Sequence, residues 1–362
     1  MAVKQSIIAA VLTMEPVDMT GVMMAFPVEY EHDSQKVEFD VFEAGREIAL
    51  KGSFASQANV VTKDGYTTVT VNPMQINESI VDSVANVNKK RIGETVYGDK
   101  KGISAGVQRT VESEMMGFGK LKKRALRLVK KSAYDVLTTG KVTVSAEGIT
   151  TDEIDYGLTN VVVNDNATAG QYQWNDTTNS DPINQLETYA LGMGAHAVDT
   201  FLLGHEAHKA FIKHPKVLTS DNTTTGKKAN FFAPTPAERA AKSTSTLIFV
   251  GTTAGDYGKA LEIYAELDQY NDGSSDVYYL NKNYAVGFRR GNEDNGQIQY
   301  GNIPVATGTD ENVTIETYVG KEWIDGEAKK NPVGIARYYK SSPLPTMNQP
   351  KAFVSIKATL IA

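Results

Sequence analysis

Four histidines, His196, His205, His208 and His214, lie close together and are the first residues to test for chemistry. Imidazole is a common ligand of transition metals, and a spacing of three puts His205 and His208 on one face of a helix. The sequence there is His-Glu-Ala-His, not the His-Glu-x-x-His of a zinc protease helix, and no carboxylate is placed as a clear third ligand. A metal-dependent hydrolase built on these four residues therefore stands only as an alternative to a surface helix with polar histidines. The run Asp268–Asp276 (DQYNDGSSD) is oxygen-rich, but Tyr270 replaces the second ligand of a calcium loop and Tyr279 stands where its bidentate Glu belongs. It reads as a polar turn between strands. No nucleotide-binding glycine pattern follows a strand, no Gly-x-Ser-x-Gly elbow occurs, and cysteine is absent. No catalytic residue, metal ligand or cofactor is expected, and the chain does not read as an enzyme.

The second chemical feature is a run of cations: Lys120, Lys122, Lys123, Arg124, Arg127, Lys130 and Lys131. Residues 89–131 hold 13 Lys/Arg against 4 Asp/Glu, in a chain whose net charge is −6. One basic face on an otherwise acidic protein suits sequence-independent contact with nucleic-acid phosphates. The same cations would equally serve as salt-bridge partners for acidic neighbours such as Asp40, Glu43 or Glu47. No aromatic residue is interleaved with them, so base stacking is not expected.

The elements that must position these residues follow from patterning. The chain has 362 residues, 41% hydrophobic and 22% charged, enough for a large core and too apolar for disorder. No apolar run is long enough to cross a membrane. Ile7–Leu12 follows Lys4 but runs into Glu15-Pro16, so it reads as a short amphipathic arm and not as a signal peptide. Residues 1–34 show few regular signals. Residues 36–72 read as an extended hairpin, with Asp64-Gly65 supplying the positive φ angles of a tight turn. Residues 104–139 read as one long helix, with an apolar stripe of Val107, Val111, Met115, Phe118, Leu121, Ala125, Leu128 or Val129, Ala133 and Val136. Gly117 and Gly119 weaken its middle and Gly140 ends it. Strands are expected at 141–146, 160–164, 247–250, 261–267, 277–280, 284–289, 298–305, 312–319, 333–339 and 353–361. The Thr-, Lys- and Asn-rich stretch 219–246 is expected to be an exposed loop. Helices and strands mix without regular βαβ alternation, which makes the fold α+β.

The run from Gln171 to Val217 is the most specific. Trp174 reads as a core or interface anchor. Asp181 caps a helix that Pro182 pre-forms. A short strand, 198–203, leads to a second helix carrying Phe211 and stopping at His214-Pro215.

This unit resembles the major capsid proteins of lambda-like tailed phages, the major capsid protein E family, through Trp174, Asp181-Pro182 and the pattern Gly204, Ala207, Phe211, His214, Pro215. Two further pieces are similar to the same family: GSFASQANVVTKDGYTTVTVNP, ending at Pro73, and the C-terminal SSPLPTMNQPKAFVSIKATLIA. The resemblance implies a Hong-Kong-97-type capsid fold: an N-terminal arm over 1–34 and an E-loop hairpin over 35–73. It further implies a peripheral domain over 74–182 with a spine helix at 104–139, an axial domain over 183–310, and a return to the peripheral domain over 311–362. It implies E-loop contacts between subunits through Lys51, Phe54, Lys63, Asp64, Gly65 and Tyr66. Its partners would be the chain itself in pentamers and hexamers, a separate scaffolding protein, a portal, a decoration protein and packaged double-stranded DNA, with no membrane. The implied location is the virion capsid, assembled in the host cytoplasm. An encapsulin-like compartment shell is the alternative use of the same fold.

Overall fold

The computed structural model describes residues 9–14, 16–42, 66–83, 105–144, 152–193, 197–220, 231–254, 260–309, 312–330 and 333–360. Its largest sheet has seven strands in the order β7 (Val161–Val163), β21 (Val354–Lys357), β14 (Tyr284–Phe288), β8 (Thr200–Leu203), β11 (Ala260–Glu266), β10 (Leu247–Ala254) and β9 (Phe231–Phe232). All four residues of β8 are buried. That is the mark of a central strand covered on both faces, and it explains why Phe201, Leu202 and Leu203 follow one another without polar alternation.

Alternation along the strands divides the core in two. Leu202, Tyr264 and Val286 face one hydrophobic cluster, while Phe201, Leu203, Ile263 and Ala285 face the other. The first cluster is built on the long helix α2 (Ala105–Thr139), which follows the short helix α1 (Thr20–Ala25). At 35 residues α2 is about 50 Å long. Phe118, Leu121, Ala125, Val129, Ala133 and Val136 are buried, and Leu128 is exposed, so Val129 is the member of the expected stripe that faces the core. The side chains of Val107 and Val111 lie outside the described residues. Gly140, at φ +71°, ends α2 and its N–H donates to Val136 O. The second cluster holds α3 (Pro182–Gly192) and α4 (His205–Lys213), with α5 (Pro215–Ser220) beside them.

Smaller sheets surround these layers. β15 (Gly296–Tyr300) lies between β1 (Val28–Glu31) and β20 (Pro343–Met347), and β19 (Val333–Ser341) lies between β18 (Trp323–Lys330) and β4 (Ile76–Ser83). Four two-stranded sheets remain among the described residues: β2 (Val37–Phe42) with β3 (Tyr66–Val71), β5 (Lys141–Val144) with β6 (Asp152–Asp155), β12 (Gln269–Asn271) with β13 (Asp276–Tyr278), and β16 (Ile303–Thr309) with β17 (Asn312–Tyr318).

The structure corrects four expectations. Within 1–34, where the sequence shows few regular signals, α1 and β1 form, with Val22 and Phe26 fully buried and β1 paired in parallel with β15. The single strand expected at 298–305 is two strands in different sheets, broken at Gly301 and Asn302. The Gly301 N–H donates to Ser342 O, the Asn302 N–H donates to Ser34 O, and a Cβ on Gly301 would come within 2.8 Å of Pro73 Cγ. Strands β4 and β18 were not expected from patterning. The polar stretch 219–246 contains helix α6 (Pro236–Lys242), opened by a complete capping box between Thr235 and Glu238 with Pro236 in the first turn.

Candidate assembly surfaces

The Trp174 unit is held from several sides. Trp174 is almost fully buried, its Nε1 donates to Gln185 Oε1 at 2.6 Å, and its ring packs on Phe211 at 5.8 Å. Gln185 in turn exchanges amide hydrogen bonds with buried Asn164, while the Trp174 N–H reaches Ala358 O at the far end of the chain. The Asp181 side chain accepts from Asn184 N and Pro182 stands in the first turn, the N-terminus the sequence predicts. His214 is buried. Its Nδ1 accepts from Lys216 N, so Nε2 carries the proton and donates to Ser180 Oγ at 2.9 Å. Burial pushes the His214 pKa down, as the Lys216 cation also does. A histidine used in this way closes α4 and leads into Pro215.

Among the described residues, His205 and His208 do not gather with His214 into one site. His205 stacks on Tyr278 and meets Glu206 through Nδ1. Burial lowers the pKa of His208, and the neighbouring His205 adds to the effect. His196 lies outside the described residues. Among the described residues no group of three or more His, Cys, Asp or Glu side chains gathers to hold a metal. In the turn of β12–β13, Asp272 Oδ1 is occupied by the N–H groups of Ser274 and Ser275 and by Ser274 Oγ, with Gly273 at φ +104°. This is a polar turn.

The seven cations of α2 separate into two sets. Lys130 is fully buried. Its Nζ lies 3.0 Å from Glu266 Oε1 and 2.8 Å from Asp268 Oδ2, and it also donates to Asp18 O. Tyr134, one helical turn on, donates to Glu266 Oε2 at 2.8 Å, and burial holds its phenol well above the usual range. Burial likewise raises the Glu266 pKa, against the pull of Lys130. Asp18 behaves oppositely: burial raises it, but hydrogen bonds from Thr244, Thr20 and Thr246 overcome this and hold it at about 2. Lys122 also points inward, donating to Val11 O, Leu12 O and Glu322 Oε1. Arg124 grips Glu78 through Nε and one terminal amine, and Lys131 pairs with Asp135 one turn away. Lys120, Lys123 and Arg127 are exposed. The carboxylates that meet the stripe are thus Glu78, Glu322, Glu266, Asp268 and Asp135. Of the neighbours expected from sequence, Asp40 accepts from Thr68 Oγ1, and Glu43 and Glu47 lie outside the described residues.

Sequence reasoning missed Arg337. It is fully buried and its stem crosses α2 at Gly117, where a Cβ would come within 2.7 Å of Arg337 Cδ. Its guanidinium reaches Asp82 at 2.6 Å and Ser113 at 3.3 Å. Gly117 therefore admits a side chain from 220 residues away, whereas Gly119 has open space beyond its Cα. No local signal marks such a pairing.

The hairpin at 36–72 is anchored at its base. β2 and β3 pair from Val37 with Val71 to Phe42 with Tyr66, Val37 and Phe39 are buried, and Phe39 packs on Tyr156. Lys51, Phe54, Lys63, Asp64 and Gly65 lie outside the described residues, and for Tyr66 only the backbone pairing is described.

Residues 5–358 match the family model described as "Phage major capsid protein E". In structure the chain is similar to the putative capsid protein of a prophage of Escherichia coli CFT073, with a TM-score of 0.64, 16% identity and 98% of each chain covered. It is also similar to a phage-related protein of Bordetella bronchiseptica RB50, with a TM-score of 0.54, 13% identity, 99% of this chain covered and 97% of the other. No curated protein matches in sequence.

Proposed function

From the premise that this chain belongs to the phage major capsid protein E family and has the Hong-Kong-97-type capsid fold, we propose that copies of it assemble, as pentamers and hexamers, into the head shell of a tailed double-stranded DNA phage. The carrying observation is the match to that family over 5–358, nearly the whole chain. The family role is structural, and the buried polar groups at the Trp174 unit, at Lys130 and at Arg337 serve packing and ion pairing, with no catalytic step assigned to any of them. Residues 1–34 serve as arm, 35–73 as E-loop, 74–182 and 311–362 as peripheral domain with α2 as spine, and 183–310 as axial domain. The seven-stranded sheet joins these parts, since β7 and β21 come from outside 183–310. The base of the β2–β3 hairpin is packed in its own core, which supports a tip, with Lys51, Phe54 and residues 63–66, that reaches to a neighbour.

Assembly in the host cytoplasm would use a separate scaffolding protein, a portal and a decoration protein, and the shell would enclose DNA without reading its sequence. Of the seven α2 cations, Lys122, Arg124, Lys130 and Lys131 already meet carboxylates of the same chain, which favours the salt-bridge reading of the stripe over direct DNA contact. The test is negative-stain electron microscopy of the purified full chain, expressed alone and with its neighbouring genes. Closed shells or rings of five and six subunits are expected. A strict monomer under every condition would overturn the proposal, and shells that copurify with a cargo enzyme in place of DNA would identify a compartment shell.

A further inference from the structure

Residues 9–20 are held against α2 by its two buried lysines, which stand about 12 Å apart along the helix. Lys122 Nζ donates to Val11 O at 3.2 Å and to Leu12 O at 2.6 Å, the last carbonyls of a helical turn at 9–12. Lys130 Nζ donates to Asp18 O at 2.8 Å. Both lysines therefore grip main chain and not side chain. The two anchors differ. At Asp18 the carboxylate also accepts from Thr20, and from Thr244 and Thr246 just before β10. At 9–14, among the described residues, the hydrogen bonds to the rest of the chain are those of Lys122. Val11 is the only buried residue among those described in 9–20, whereas Val22, Ala25 and Phe26 beyond it are closed off from water.

Leu12 and Met14 are 38% and 42% exposed. A cavity of about 880 Å³ is lined by Leu12, Met14 and Val17 of this segment and by Ala125, Leu126 and Val129 of α2. A close-packed interior leaves no such space, so the segment bridges a gap between its anchors. Opening at 9–14 leaves no buried charge alone. Lys122 keeps Glu322 Oε1 at 2.8 Å, Glu322 Oε2 keeps the Tyr339 hydroxyl at 2.9 Å, and the freed carbonyls pass to water. A segment with one buried side chain belongs to the low end of local stability. We propose that residues 9–14 are a strap with two positions, clamped on α2 by Lys122 or swung away about the Asp18 root while the rest of the chain stays folded. In the open position the cavity becomes a groove along Ala125, Leu126 and Val129, so the closed strap is a cover over an apolar face of α2.

The experiment is amide hydrogen exchange of the unassembled full chain, read by mass spectrometry, so its outcome stands apart from the shell reading. The Thr13 and Met14 amides, which donate to Ala9 O and Val11 O, report the strap. The Met23 and Phe26 amides, which donate to Met19 O and Val22 O, report the body. The strap amides are expected to be protected, yet to exchange about a hundredfold faster than those of the body, or more. Lys122→Met with Glu322→Gln, which leaves no unpaired charge, is expected to speed strap exchange about tenfold, the effect of one charged hydrogen bond, with the body unchanged. Val11→Ser, which leaves both lysines in place, is expected to do the same. Equal exchange at strap and body would overturn the strap, because 9–14 would then open only with the whole chain. Strap exchange at the rate of an unfolded peptide would overturn it too, since no closed position would exist. So would strap exchange that neither variant alters, or a loss of protection in the body alongside the strap in both variants.

Discussion

The inward and outward sides of α2 carry the same residue types to opposite ends. Lys122 and Lys130 point into the protein and are buried, while Lys120 and Lys123, two residues before Lys122 and one after it, stay in water. Gly117 faces inward and is crossed by Arg337, whereas Gly119 has no atom near the position of a Cβ. The difference shows that a run of charge is not one feature. A helix of 3.6 residues per turn sends consecutive lysines about 100° apart, so one sequence motif feeds both the fold and the surface.

The inward side has the larger effects. Lys130→Ala should destabilise the unassembled chain by roughly 3–5 kcal/mol, because removing one partner leaves Glu266 and Asp268 beside a buried gap. Denaturant unfolding of soluble, unassembled protein checks this. The pair Lys130→Met with Glu266→Gln should recover part of the loss, since the fully buried carboxylate is neutralised and Asp268, 22% exposed, keeps contact with water. If Lys130→Ala unfolds like wild type, the inward cation is not structural and the contrast between the two sides collapses.

The two glycines sharpen the contrast at lower cost to the fold. Gly117→Ala should destabilise by about 1–3 kcal/mol, the usual cost of overpacking, because Arg337 must shift away from Asp82 and Ser113. Gly119→Ala should stabilise α2 by up to about 1 kcal/mol, since it meets nothing and removes a flexible residue from a helix interior. Thermal unfolding of the two variants side by side reads the sign directly.

Sequence carried the local half of this picture. The 3.6 period placed α2, and Phe118, Leu121, Ala125 and Val129 are on its buried face as the pattern requires. Asp181-Pro182 marked the start of α3 because capping is a contact between residues a few positions apart. The same logic was available for α6 in Thr235-Pro-Ala-Glu238, where the polar composition around it concealed the capping box. What sequence could not give is long-range pairing. Lys130 meets Glu266 and Asp268, Arg337 crosses Gly117, and Trp174 meets Ala358, each across more than 130 residues. The buried face of β4 and β18 was missed for a related reason: Asn77, Glu78 and Ser79, or Asp325 and Glu327, break the apolar alternation and find their place only once β19 lies between the two strands.

The outward side yields the smallest effect on folding and the most telling one. Lys120→Ala and Lys123→Ala should each change the stability of the unassembled chain by no more than about 0.5 kcal/mol, as is usual for exposed positions without a buried partner. A larger loss would mean that these side chains are tied into the fold as Lys122 is, and the division of the helix would be wrong. Neutral behaviour in the isolated chain combined with slower or salt-sensitive assembly would place their role between molecules, because charge contacts exposed at an interface rim act mainly on association and are screened by salt. Measured on one preparation by unfolding and by light scattering during assembly, the two readouts separate a residue that holds the fold from one that meets a neighbour.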